Sequence, residues 1–218
     1  MTRRRVGVLI SGRGSNLAAL LAAARDPAYP AEIVLVLSNR PDAAGLALAA
    51  AAGIPARAID HRPYGADRAA HEGALLAALE GAGIELVCLA GYMRRLTPLL
   101  VGAYAGRRLN IHPSLLPSFR GLDTHTRALA AGVKLHGCTV HLVTEALDEG
   151  PIVAQAAVPV RPDDTAGSLA ARVLAQELRL YPLALALLAG GAAATAAPAD
   201  ASLANPLPEV AVAPRTRA

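Results

Sequence analysis

The chain has no tryptophan and one phenylalanine in 218 residues, and aromatics make up only 3% of it. A surface that stacks nucleic-acid bases interleaves aromatic side chains with dense Lys/Arg runs, and no such stretch occurs. The net charge of +4 is therefore read as favouring small anionic molecules, with no nucleic acid as partner. Cysteine is scarce too: Cys88 and Cys138 lie in the apolar stretches LVCLAG and HGCTVHL. Neither belongs to a CxxC or Cys/His metal-ligand pattern. They are predicted to be buried free thiols, which suits a reducing, cytoplasmic compartment. Long uninterrupted hydrophobic runs are missing as well. LYPLALALLAGGAAATAA is broken by Pro182 and its glycines, and VGVLI is too short for a signal-peptide core. No membrane span or export signal is expected. What the sequence does have is Leu, Val, Ile and Ala. With 54% hydrophobic and 17% charged residues, it can bury the core of one sizeable α/β domain.

Apolar runs alternate with amphipathic segments along the chain. Strands are predicted at 5–11, 32–38, 56–59, 85–90 and 108–112, and helices at 16–24, 43–52, 66–81 and 97–105. Continuous apolar strands alternating with helices imply parallel strands covered on both faces. Beyond residue 112 the pattern changes. Strands at 137–143 and 152–160, joined by TEALDEG, form an antiparallel extension, and a long helix spans 165–189. The expected fold is a Rossmann-like single α/β domain over 1–190. It has a mostly parallel central sheet, an antiparallel C-terminal extension and a long C-terminal helix. Residues 191–218, rich in Ala and Pro, are expected to form a loosely ordered tail.

The first turn reads ISGRGSNL. A glycine-rich turn between a strand and a helix presents backbone N–H groups to an anion. It is not a dinucleotide fingerprint, because Leu17 stands where the third glycine would fall. The second strand also ends in Ser38-Asn39, with no ribose-binding acid. Nor does a Gly-Lys-Ser/Thr follow, as a nucleotide-binding P-loop requires. The turn reads as a monophosphate site made by Gly14, Ser15 and Asn16, or simply as a tight βα connection capped by Ser15 or Asn16.

In LNIHPSLLP, alternation puts Asn110 and His112 on one face of a strand end. The C-terminal ends of parallel strands line the ligand crevice of such a sheet. An amide beside an imidazole suits an oxyanion forming at a carbonyl carbon. Asp148, in LDEGP, is the candidate for moving protons, and His141, on the strand leading to that turn, is placed to line the same crevice. The histidines show no metal-ligand spacing such as HExxH, so no metal is expected.

Together, SGRGSNL, LAGYMRRL, LNIHPSLLP, GCTVHLV and LDEGPIVAQ resemble the folate-dependent formyltransferase family, in order and at compatible spacing over about residues 5–190. The first turn favours its glycinamide ribonucleotide branch over the transfer-RNA and deformylase branches, which would be expected to carry further domains. The resemblance implies transfer of a formyl group from 10-formyltetrahydrofolate, as co-substrate, to the amine of glycinamide ribonucleotide in purine biosynthesis. It assigns catalysis to Asn110, His112 and Asp148 and the substrate phosphate to Gly14, Ser15 and Asn16. Glu177 would help to bind the ribonucleotide. The folate would meet Arg68, Met93, Arg94, Arg95, Leu96 and Asn110, and His125 is retained near the site. Both partners are then small molecules, and the chain would act as a monomer or homodimer. Two positions depart from the family: Asp123 stands where a histidine is common, and Leu142 where an aromatic is. The loop over 115–126 is expected to be flexible. The alternative from the same residues is hydrolysis of formyltetrahydrofolate, with water in place of the amine.

Overall fold

The computed structural model of the protein describes residues 2–190 and 202–204. Seven strands in the body of the chain form one mixed sheet: β1 (Arg4–Ile10), β2 (Ala31–Ser38), β3 (Ala56–Ala58), β4 (Leu86–Leu89), β5 (Arg108–His112), β6 (Leu135–Leu142) and β7 (Ile152–Pro159). They lie side by side in the order β3-β2-β1-β4-β5-β6-β7. The pairings from β3 through β5 are parallel, and β5–β6 and β6–β7 are antiparallel. This is the Rossmann-like arrangement expected, with its antiparallel extension.

Helices cover both faces. One layer holds α1 (Ser15–Ala23), α2 (Gly45–Ala51), α5 (Thr124–Ala130) and α6 (Ala166–Ala189), and the other holds α3 (Arg68–Gly81) and α4 (Pro98–Ala103). The consequence shows along β1. Val6, Val8 and Ile10 pack into the first layer and Leu9 into the second. Gly7 leaves room for α3, since a Cβ there would meet Leu79 Cδ2 at 2.7 Å. Cys88 and Cys138 are free and buried in the first layer, and burial pushes the Cys88 thiol up to about 12.

Helix α6 begins with a capping box. The Thr165 hydroxyl accepts from Ser168 N and the Ser168 hydroxyl from Thr165 N. It runs through Pro182 and stops at Gly190, whose φ of 81° suits the left-handed helix cap. No described helix is long and apolar enough to cross a membrane.

Three differences from the sequence expectations have local causes. The end of the 115–126 segment, expected as a flexible loop, opens α5 from Thr124, anchored by buried Thr124 and Ala128. Strand β6 starts two residues early, at Leu135, because the antiparallel ladder with β7 continues to Leu135–Pro159. Helix α3 starts at Arg68, where the Asp67 side chain caps Ala70 N at 2.9 Å, and a short 3₁₀ turn (Arg62–Tyr64) precedes it. The expectation of a loose tail falls outside the described residues, apart from β8 (Ser202–Ala204), which pairs antiparallel with β7.

The chain leaves β1 toward β2 and β3, then returns to the other side of β1 to make β4. The strand order thus reverses between β1 and β4, and that switch opens a crevice at the strands' C-terminal ends.

Candidate active site

Ser11 follows β1 and begins the glycine turn. Its hydroxyl accepts from Met93 N at 2.8 Å and donates to Asn39 Oδ1 at 2.5 Å. One hydroxyl thus ties together the loops that follow β1, β2 and β4. Gly14 has φ 82° and precedes α1, and a Cβ there would come within 2.8 Å of Gly45 Cα. Gly45 N donates to Gly12 O at 3.0 Å. The start of α2 is packed directly against the turn, which only two glycines allow. Ser15 and Asn16 open α1, where the first backbone N–H groups have no partner within the helix. The Asn16 amide donates to Glu177 Oε2, on α6, at 2.7 Å. Burial raises the pKa of Glu177, opposed by that hydrogen bond and by the charge of His112.

Asn110, in the middle of β5, is half-buried, and His112, at its end, is buried. Antiparallel register sets Asn110 opposite His141. Asn110 Nδ2 lies 3.2 Å from His141 Nε2, and His141 Nδ1 lies 2.9 Å from Leu142 O. A carbonyl can only accept, so Nδ1 carries the proton and Nε2 accepts from the Asn110 amide. Burial lowers the pKa of His141, against the opposing Leu142 carbonyl and Asp148 charge. The second N–H of Asn110 makes no hydrogen bond among the described residues.

Asp148 sits in the β6–β7 turn at φ 53°, a left-handed conformation that Asp tolerates better than most residues. Its Oδ2 accepts from Gly121 N at 3.0 Å and stands 3.5 Å from His112 Nδ1. His112 Nε2 donates to Phe119 O at 3.1 Å. Both ring nitrogens therefore face oxygen acceptors.

The structure brings Asn110, His112, His141 and Asp148 together and joins Asn16 to Glu177. Met93, Arg94, Arg95 and Leu96 lie in the loop between β4 and α4, and Arg68 is exposed at the start of α3. His125 bonds to His136 at 3.2 Å, with the two rings edge to face. Met93, Leu122 and Leu147 are 69%, 71% and 48% exposed, and each sits on a loop that carries a site residue or contacts one. Among the described residues no group of three His, Cys, Asp or Glu side chains is placed to hold a metal ion. The reading of the sequence passed over Ser11, Asn39, Glu72 and Arg108. The first two could have been suspected from their positions at strand ends.

Residues 4–185 match the sequence profile of the formyl transferase family. The chain belongs to the formyl transferase family. It is 44% identical over 184 residues to phosphoribosylglycinamide formyltransferase of Escherichia coli K12, covering 84% of this chain and 86% of that protein. It is 50% identical over 188 residues to the trifunctional purine biosynthetic protein adenosine-3 of Gallus gallus, covering 86% of this chain. The chain spans only 19% of the length of that larger relative. Among solved formyl transferase structures, phosphoribosylglycinamide formyltransferase from Brucella melitensis superposes with a TM-score of 0.83 at 59% identity, covering 87% of this chain and 97% of that one.

Proposed function

We propose that this formyl transferase moves the formyl group of 10-formyltetrahydrofolate to the amine of glycinamide ribonucleotide, as a cytoplasmic phosphoribosylglycinamide formyltransferase. The observation that carries the reading is the joint presence, at one strand-switch crevice, of a glycine turn suited to a phosphate and the Asn110–His112–Asp148 cluster. The names of the E. coli and Brucella relatives support it. The Met93, Leu122 and Leu147 side chains suit the flat ring system of a folate, and the basic Arg94–Arg95 pair suits its carboxylates.

In this mechanism the substrate phosphate rests on the N–H groups of Gly14, Ser15 and Asn16, which directs the amine toward β5. The amine nitrogen attacks the formyl carbon. A C–N bond forms, and the carbonyl electron pair becomes an oxyanion. Asn110 donates its free N–H to that oxygen. His112 donates from Nε2 once the Phe119 carbonyl has been given up. Asp148, facing Nδ1, orients the ring and, through a water, takes the proton that the attacking nitrogen loses. That proton passes to the leaving folate nitrogen as its bond to carbon breaks. The products are formylglycinamide ribonucleotide and tetrahydrofolate. Placing these donors where the oxyanion develops is the largest expected contribution to rate.

The test follows loss of 10-formyltetrahydrofolate with and without glycinamide ribonucleotide. Consumption that requires the ribonucleotide and vanishes in His112→Ala supports the transferase. Consumption without it, releasing formate, would replace the transferase with the hydrolase.

A further inference from the structure

Two buried charged side chains lie outside this machinery. Glu72, on α3, is 2% exposed, and Arg108, at the start of β5, is fully buried. Both reach the six-residue helix α4, from opposite ends. At its N-terminal end, Glu72 Oε1 accepts from Thr97 N at 2.7 Å. Its Oε2 accepts from the Thr97 hydroxyl at 2.6 Å and from Leu100 N at 3.4 Å. Thr97 holds the cap position but makes no cap bond of its own, so the carboxylate of α3 does that work. At the C-terminal end, Arg108 Nη1 donates to Leu100 O and Nη2 to Val101 O at 3.3 Å. Nη2 also reaches Val143 O, at the start of the segment leading to Asp148, at 3.5 Å.

A carboxylate thus meets the positive end of the helix and a guanidinium the negative end. A helix this short has little stability alone. Yet two buried charges are an expensive way to hold it. Desolvating two charges often costs more than their attraction returns, and apolar side chains would pack as well. The cost is visible at Arg108, whose Nε has no hydrogen-bond partner among the described residues. Burial also pulls its guanidinium down to about 10, with the Glu72 charge acting against that.

The pair is placed to serve the loop rather than the core. Helix α4 directly follows Met93–Leu96, and Arg108 shares its strand face with Asn110 and His112. We propose that Glu72 and Arg108 are positioning residues that clamp α4 from both ends and so set the Met93–Leu96 segment for the formyl donor. The proposal rests on the formyltransferase reading, because it needs that segment to meet the folate.

Glu72→Gln, Arg108→Met and the double variant test it. Each single change leaves the other buried charge in place, and the double change removes both. The expected result is a rise of roughly tenfold in KM for 10-formyltetrahydrofolate in each single variant, within the range seen for residues acting through an intermediate element. KM for glycinamide ribonucleotide should stay within twofold, and the double variant should recover part of the loss. Affinity for tetrahydrofolate, by calorimetry, and exchange of the Thr97 and Leu100 amides should worsen in parallel. Equal rises in both KM values, or an unchanged donor KM in folded Glu72→Gln, would overturn the clamp. Should Arg108→Met not fold, Glu72→Gln, which keeps size and polarity, decides alone. If the wild type transfers no formyl group, the function reading fails instead. Tetrahydrofolate affinity and amide exchange then still judge the clamp: weakened affinity with faster exchange upholds it, and unchanged values reject it.

Discussion

Asn110 sits on its strand so that one amide N–H is held by His141, and in the proposed mechanism the other meets the substrate oxygen. Replacing it with Ala removes a half-buried side chain, so stability should change little. The rate should fall by about 10²–10³, roughly 3–4 kcal/mol, as for other oxyanion donors. Steady-state kinetics beside a thermal melt separates the two, and a preserved kcat would refute the role. His141 acts through Asn110, because its neutral Nε2 accepts the amide and fixes which way the free N–H points. His141→Ala should therefore lower kcat by less than Asn110→Ala. Added to Asn110→Ala, it should cost almost nothing further, and a double-mutant cycle reads that coupling. Additive losses would show that His141 acts independently. The Asn110–His112 pair was legible in the sequence because strand alternation places residues two apart on one face. Glu72 and Arg108 were not, since their bonds to α4 from separate elements leave no periodic trace.

At the scale of elements, the first turn depends on two glycines in close approach. Gly14→Ala would put a Cβ against the Gly45 backbone at a left-handed φ, where neither strain nor crowding can relax cheaply. A loss of roughly 1–3 kcal/mol in stability is expected. A larger rise is expected in KM for the phosphate-bearing substrate than for the folate. Urea unfolding and separate KM values test this, and a selective effect on the folate would mean that the turn has another task. The strands of the parallel half were legible because both faces are covered, so each reads as an unbroken apolar run. Helix α5 was not. Its seven residues, THTRALA, carry few apolar side chains, and buried Thr124 and Ala128 anchor it through tertiary packing rather than pattern. The site as a whole was legible in its residues. Its wiring was not: which nitrogen of His141 accepts, and that Phe119 O engages His112, are facts of geometry.

For the molecule as a whole, the decisive charges are the buried ones. His71, His125, His136 and His141 all have lowered pKa values, chiefly through burial, and His136 is held down to about 4. The unfolded chain binds a proton at each of these rings near pH 6.5. Between about 6.5 and 4 the unfolded state therefore takes up protons that the folded state refuses, and stability falls as pH drops through that window. Above it the rings are neutral in both states and contribute no slope. His136 is almost inaccessible, at 1% exposure, so its share is on the order of 3 kcal/mol at the bottom of the window. Glu177 works the other way. Its raised pKa makes the buried carboxylate cheaper when protonated, so its contribution is present at low pH and fades as pH rises through the folded value. Four groups against one leave a net loss toward acid. Urea unfolding from pH 8 to 4 should show stability roughly flat down to pH 7 and then declining. His136→Gln should lose packing against Phe119 and His125 and be less stable at pH 7.5. Its decline below pH 6.5 should nevertheless be shallower, because the ring that refuses the proton is gone. Parallel slopes for the two proteins would mean that His136 takes up its proton as readily folded as unfolded.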